Sequence, residues 1–306
     1  MKIVSVGEVL WDVLSSTEHL GGAPFNFASH AHNLGHEVCF VSAVGNDAHG
    51  NQVLKQMTEA GLSTRFIRRV PDHPTGTVTV AMDSLGLPQY TIHRPAAYDF
   101  PALNPSDLDT LLHPAPDWIY FGTLQQMSAP AHDLTLRLLA SAPTAKRFYD
   151  VNLRTGSFTP ELVRTLAQHA DVLKLNEEEV SALSGIAGIE SVSSERFCRN
   201  CLSAFQLDAL CITLGPDGCA LLMNDEFLES PGFPVQVADT IGTGDAFSAA
   251  LLHGINAGWA ASRIAGFANR VGAIVASRPG GTPKWSIDEA NALQSFAGSS
   301  SGSVKN

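Results

Sequence analysis

Short apolar runs separated by helical stretches constrain this chain most. Strands are expected at residues 117–121, 146–150, 171–175 and 209–214, and helices at 130–141, 159–169 and 193–206. That alternation predicts a parallel, doubly wound sheet, because each crossover helix must bury its apolar stripe on a sheet face. Ligands of such sheets bind outside the carboxyl ends of the strands. Polar residues fall at those ends: Asn152 and Arg154 after the second run, Asn176 after the third, Gly215 after the fourth. Earlier in the chain, residues 3–7 and 37–44 read as strands and 51–60 as a helix. One stretch breaks the rhythm. Residues 75–82 and 89–93 alternate around a turn at 83–88, a hairpin signal, so this pair is expected to stand off the main sheet.

The 306 residues suffice for one large α/β domain, and 44% of them are hydrophobic. A formal charge of −11 with no basic block argues against a nucleic-acid surface. Residues 1–7 read as a first strand, not a signal peptide, and no apolar run approaches the ~18 residues of a membrane span. Five scattered cysteines fit a reducing, cytoplasmic setting. Cys198 and Cys201 form a lone pair one helical turn apart, without the further ligands that zinc needs. The tail at 298–306 is rich in Gly and Ser and reads as a flexible end.

Residues Asp239-Thr-Ile-Gly-Thr-Gly-Asp-Ala-Phe247 follow an alternating run at 234–238 that reads as a strand. Phe247, Ala250, Leu251 and Gly254 then recur with helical period. Gly242 and Gly244 therefore occupy a tight turn at a helix start, where free N–H groups and the helix dipole favour anions. Asp245 at that place is either an ordinary cap or a base beside an anion hole.

This stretch resembles the second signature of the ribokinase, or PfkB, family of carbohydrate kinases. The resemblance implies that Asp245 is the general base and that Gly242, Thr243 and Gly244 form the anion hole, with Thr243 where Ala is usual. Gly21-Gly22-Ala23-Pro24-Phe25-Asn26, ending in Leu34-Gly35, resembles the first signature in its fructokinase form. It implies that Gly21, Gly22, Asn26 and Asp12 contact sugar hydroxyls. Asp150-Val-Asn-Leu-Arg154 resembles a fructokinase segment whose Arg reaches the sugar. The family pattern also implies Mg²⁺ and phosphate placement by Asn176 and, through water, Glu179. Thr213, Gly215 and Gly218 would border the ATP phosphates, and Asn269 the adenine side.

The implied fold is the ribokinase-like doubly wound, mostly parallel α/β sheet over residues 1–297, with a small β-lid from about 9–22 and 72–98. The lid implies a homodimer. The implied reaction is ATP-dependent phosphorylation of a sugar primary hydroxyl, D-fructose to fructose 6-phosphate. The alternatives are a 2-keto-3-deoxygluconate kinase, with Arg94 or Arg154 on the carboxylate, a nucleoside kinase, or a silent sugar-binding protein. A K⁺ site is implied at Asp239, Ile241, Val275, Arg278 and Gly280. Lys284 stands where some relatives offer an oxygen ligand, and its ammonium is expected to pair with Asp239 instead.

Overall fold

Five-residue runs that are buried on both faces set the middle of the main sheet. The structure is a computed structural model, and it describes residues 1–13, 17–82, 88–189 and 193–294. In chain order the first strands are β1 (Lys2–Val6), β2 (Leu10–Val13) and β3 (Glu18–Gly21), then helix α1 (Ala23–Asn33) and β4 (Glu37–Gly45). Next come α2 (Ala48–Glu59), β5 (Ile67–Val70), β6 (Gly76–Met82), β7 (Pro88–Ile92), α3 (Pro105–Leu112) and β8 (Trp118–Gly122). The βα rhythm continues with α4 (Ala129–Ser141), β9 (Lys146–Asp150), α5 (Pro160–Gln168), β10 (Val172–Asn176), α6 (Glu177–Ala187) and α7 (Ser194–Phe205). The chain closes with β11 (Ala209–Thr213), β12 (Cys219–Met223), β13 (Glu226–Ser230), α8 (Thr243–Asn256), α9 (Ala261–Ala276) and α10 (Ile287–Ala292).

The main sheet has nine strands in the order β13-β12-β11-β10-β9-β8-β1-β4-β5. Pairing is parallel from β11 to β5 and antiparallel from β11 to β13. Helices α1, α8 and α9 cover one face, with Phe27, Leu251 and Val271 in that core. Helices α4 to α7 cover the other, with Leu138, Val163, Leu183 and Phe197. Helix α8 is buried from Ala246 to Leu252 without a polar face, as a helix enclosed by a sheet and other helices must be.

The second sheet runs β3-β2-β6-β7, with β2 and β6 parallel and the outer pairs antiparallel. The expected hairpin is thus present, and most of its turn, residues 83–87, lies outside the described residues. The tail expected to be flexible also lies outside them. No described helix is long and apolar enough to cross a membrane. All five cysteines are free and buried, and no group of three or more metal-ligating side chains occurs among the described residues.

The strand expected at 234–238 is absent. Its alternation is real, but Pro231 and Pro234 lack the N–H groups that a ladder alongside β13 would need. The segment runs irregularly, with Val237 59% exposed, and attaches by the Ala238 N–H to the Ala276 carbonyl at 2.9 Å. The β12–β13 hairpin has no counterpart in the sequence expectations. Its two-residue turn is Asn224-Asp225, both at positive φ (50° and 63°), a conformation that these two residue types tolerate.

Candidate active site

Gly242 starts α8 with φ at +73°, and a Cβ there would lie 2.2 Å from the Gly281 carbonyl oxygen. Backbone conformation and close approach both require glycine at this position. Gly244 is glycine for a different reason: a Cβ would stand 3.2 Å from Lys174 Nζ. Thr243 Oγ1 is buried without a partner. Asp245, in the first turn, is half-buried, and its Oδ2 accepts from Asn26 Nδ2 at 2.8 Å. Burial pushes the Asp245 carboxyl up to about 6, and the Asp150 charge adds to the effect. Asn26, Lys174 and Arg154 oppose it. The two expected signatures, 219 residues apart in sequence, therefore meet through one hydrogen bond.

Helix α1 begins at Gly22, φ +109°, whose missing side chain lets the chain pass the Glu8 carbonyl. This turn places Asn26, 3% exposed, with its Oδ1 unpartnered. Asp12 lies on β2, and its Oδ2 would be 2.8 Å from a Cβ on Gly21, so Gly21 makes room for that carboxylate. Burial raises Asp12 to about 6 against the pull of Arg154 and His19. Glu8 is 3% exposed with Oε2 unpartnered, and burial pushes it up to about 7. Arg154 is exposed and its charge acts on Glu8, Asp12 and Asp245 alike. Arg94 is engaged elsewhere, with Asp99 and the Leu124 carbonyl, so it is no free receptor for a substrate carboxylate.

Beneath the turn, Lys174 and Asp150 form a buried ion pair at 3.2 Å. Burial pulls the Lys174 ammonium down, but Asp150, Glu179 and Asp245 together hold it above the ordinary lysine value. Asn176 caps α6, and Glu179 completes a capping box, each side chain bonding the other residue's N–H. Glu179 Oε1 also accepts from the Leu153 N–H at 2.6 Å. Each Glu179 oxygen thus holds one N–H and keeps a lone pair for a water. This donor set fits an outer-sphere partner of Mg²⁺, an ion that keeps most of its waters.

Thr213 ends β11, and Gly215 (φ +58°) and Gly218 (φ +104°) shape the turn into β12. A Cβ on Gly218 would meet the Ser230 carbonyl at 2.1 Å. Asn269, on α9, directs Nδ2 to the Ser230 and Pro231 carbonyls at 3.0 and 3.1 Å, so its amide fastens that loop. Asp239 accepts from the Ile241 and Gly280 N–H groups, both at 3.0 Å, and the Val275 carbonyl accepts from the Arg278 N–H. The Gly280–Asp239 bond joins the two loops expected to hold K⁺, and two of that site's acceptors, the Asp239 carboxylate and the Val275 carbonyl, are engaged by backbone N–H groups. The expected Lys284–Asp239 pair is not formed. Lys284 is exposed, no ion pair joins it to Asp239, and the Asp239 oxygens are satisfied by backbone N–H groups.

Sequence reasoning did not single out Glu8, the Asp150–Lys174 pair or His30. The signal for Lys174 is a charge inside the apolar run Val172-Leu-Lys-Leu175. His30, 2% exposed, accepts from Trp285 Nε1 at Nδ1 and donates from Nε2 to the Gly281 carbonyl, both at 3.0 Å.

The chain is similar to known sugar kinases over nearly its whole length. An uncharacterized sugar kinase of Pyrococcus horikoshii is 30% identical over 314 residues, covering 96% of this chain and 95% of its own. A fructokinase of Klebsiella pneumoniae is 30% identical over 269 residues, 84% of this chain and 85% of its own. The crystal structure of a fructokinase with bound ATP from Xylella fastidiosa superposes with a TM-score of 0.85 over 95% of this chain and 97% of that one, at 24% identity. Residues 3–288 match the family described as pfkB family carbohydrate kinase. With its ribokinase-like α/β fold and the Asp245 turn joined to the Gly22–Asn26 segment, the chain belongs to the pfkB family of carbohydrate kinases.

Proposed function

We propose that this sugar kinase transfers the γ-phosphoryl group of ATP to the primary hydroxyl of D-fructose, with Asp245 as the general base. The observation that carries the reading is the Asp245 carboxylate. It stands in the first turn of α8, beside the N–H groups of Gly242 and Gly244, with a proton affinity raised toward neutrality, while the Thr243 N–H turns back to the Thr240 carbonyl. A base tuned this way can take the hydroxyl proton near pH 7, while the turn stabilises charge on the transferring group. Phosphoryl transfer demands little beyond such positioning and charge stabilisation. Asp12, Asn26, Arg154 and the Gly21-Gly22 backbone orient the sugar. Thr213, Gly215, Gly218 and Asn269 border the nucleotide. Asn176 and Glu179 would hold Mg²⁺ through its waters, and the ion would supply charge that offsets the phosphates. The second sheet closes over the sugar as a lid, and its outer strands β3 and β7 offer unpaired edges to a second copy. Five buried free thiols accord with a cytoplasmic setting.

Charge favours a neutral sugar over 2-keto-3-deoxygluconate. Glu8, Asp12 and Asp245 all feel the single guanidinium of Arg154, and a substrate carboxylate would add a further anion. The fructokinase form of Gly21–Asn26 and the resemblance to the Klebsiella enzyme support fructose. A coupled assay over a panel of sugars tests both parts. Fructose is expected to exceed ribose, adenosine and the keto acid in kcat/KM, and Asp245→Asn to lose about 10²–10⁴-fold in turnover while still binding ATP. A keto-acid preference overturns the substrate; an Asp245→Asn enzyme at half the original kcat overturns the base.

A further inference from the structure

The Asp150 carboxylate, 1% exposed, lies directly behind the first turn of α8. It accepts from Ser248 Oγ at 2.8 Å, from the Tyr120 hydroxyl at 3.1 Å and from Lys174 Nζ at 3.2 and 3.3 Å. Ser248 Oγ is also 2.9 Å from the Gly244 carbonyl, one turn back. A helical serine that bonds its own i−4 carbonyl is common. Here the single hydroxyl hydrogen is shared between that carbonyl and a buried carboxylate, a three-centre contact that ties the carboxylate to the turn. The ammonium of Lys174, from β10, is 6% exposed and sits against Gly244 from below. A buried ion pair contributes little net stability compared with apolar residues of the same volume. This pair therefore asks for a reason other than stability, and the reason lies in what it touches.

We infer that Asp150 and Lys174 are positioning residues for Asp245: through Ser248 and the first turn of α8 they hold the carboxylate in place, and their opposite charges set its electrostatic surroundings. The inference rests on reading Asp245 as the base. The groups that face Asp245 come from six places. They are Glu8 after β1, Asn26 of α1, Tyr120 of β8, Asp150 of β9, Arg154 of the following loop and Lys174 of β10. Burial is the largest influence on Asp245. Among the charges, Asp150 strengthens its hold on a proton, and Lys174 and Arg154 weaken it.

The test is the acid limb of the kcat/KM profile. The wild-type midpoint is expected at about 6. Asp150→Asn should move it down by about one pH unit, and Lys174→Met should move it up. A purely structural pair would lower kcat in both variants and leave the midpoint where it was. Midpoints that stay, or that move in the same direction, overturn the inference. Ser248→Ala keeps both charges paired and serves if a charge variant fails to fold. It should lose about tenfold or more in kcat at unchanged KM and unchanged midpoint, because the base is held less firmly. Wild-type kcat in Ser248→Ala overturns the positioning role. Failure here is separable from failure of the base assignment: Asp245→Asn then still loses about 10²–10⁴-fold in turnover while the midpoints of the other variants stay fixed.

Discussion

Glu8 shows what a site residue costs the molecule that keeps it. Its carboxyl is buried with an unpartnered oxygen and titrates at about 7, against 4.5 when free. A group raised on folding contributes stability that is complete below pH 4.5 and is lost as pH rises through 7. A displacement of this size corresponds to about 3 kcal/mol. Glu8→Gln, which cannot ionise, should therefore unfold at higher temperature than wild type at pH 8 and at the same temperature at pH 4. A gain that is equal at both pH values would show that packing, and not ionisation, is responsible. At this scale the glycine turn and Asp245 were legible from residue type and spacing, while Gly22 and Asn26 were read through their resemblance to a family signature, and the structure brings Asn26 onto Asp245. Glu8, Asp150 and Lys174 were not legible, because their meaning depends on what lies across the sheet. A lysine in an apolar strand shows neither its carboxylate partner nor the helix turn above it.

The elements answer to the same distinction. The strands expected at 117–121, 146–150, 171–175 and 209–214 lie within a residue of β8 to β11, since each carries its own apolar run, whereas β5, with Arg68 and Arg69 at its middle, was not expected. The run at 234–238 has the period of a strand, but pairing needs a neighbour with free donors and acceptors, and the prolines remove it. The capping box at α6 is also local, yet Asn176 was read from its place at a strand end and Glu179 through resemblance to a phosphate-side motif, and neither as a cap. Two glycines at the start of α8 separate conformation from contact. Gly242→Ala combines positive φ with a 2.2 Å approach to backbone, so stability should fall by at least ~2 kcal/mol along with activity. Gly244→Ala meets only the flexible end of Lys174 at 3.2 Å, and alanine is about 1 kcal/mol better than glycine inside a helix. Its stability should stay near wild type while kcat falls, because the ammonium beneath the base is displaced. Calorimetry with steady-state kinetics distinguishes the two, and wild-type turnover in Gly244→Ala would remove the proposed sensitivity of the turn to Lys174.

Across the whole molecule, α1 is fastened to the segment after α9 by His30, Trp285 and the Gly281 carbonyl, with Asn33 Nδ2 on the Trp285 carbonyl at 2.9 Å. Burial holds His30 neutral, with its pKa lowered from 6.5 to about 4. A histidine lowered on folding gives stability that is present above pH 6.5 and is lost as pH falls toward 4, here about 3 kcal/mol. His30→Gln should flatten the fall in melting temperature over that range, and an equally steep fall would exclude His30 as its cause. The same clamp has a consequence for biosynthesis. The ribosome finishes every strand of both sheets before it reaches α8, yet the wall behind Gly242 is the backbone of Gly281, made later still. A nascent chain can hold most of its core while the phosphoryl-transfer turn has nothing to rest on. Kinase activity on stalled ribosomes should therefore appear only once residues 281–285 clear the exit tunnel, so that an unfinished chain does not turn over ATP.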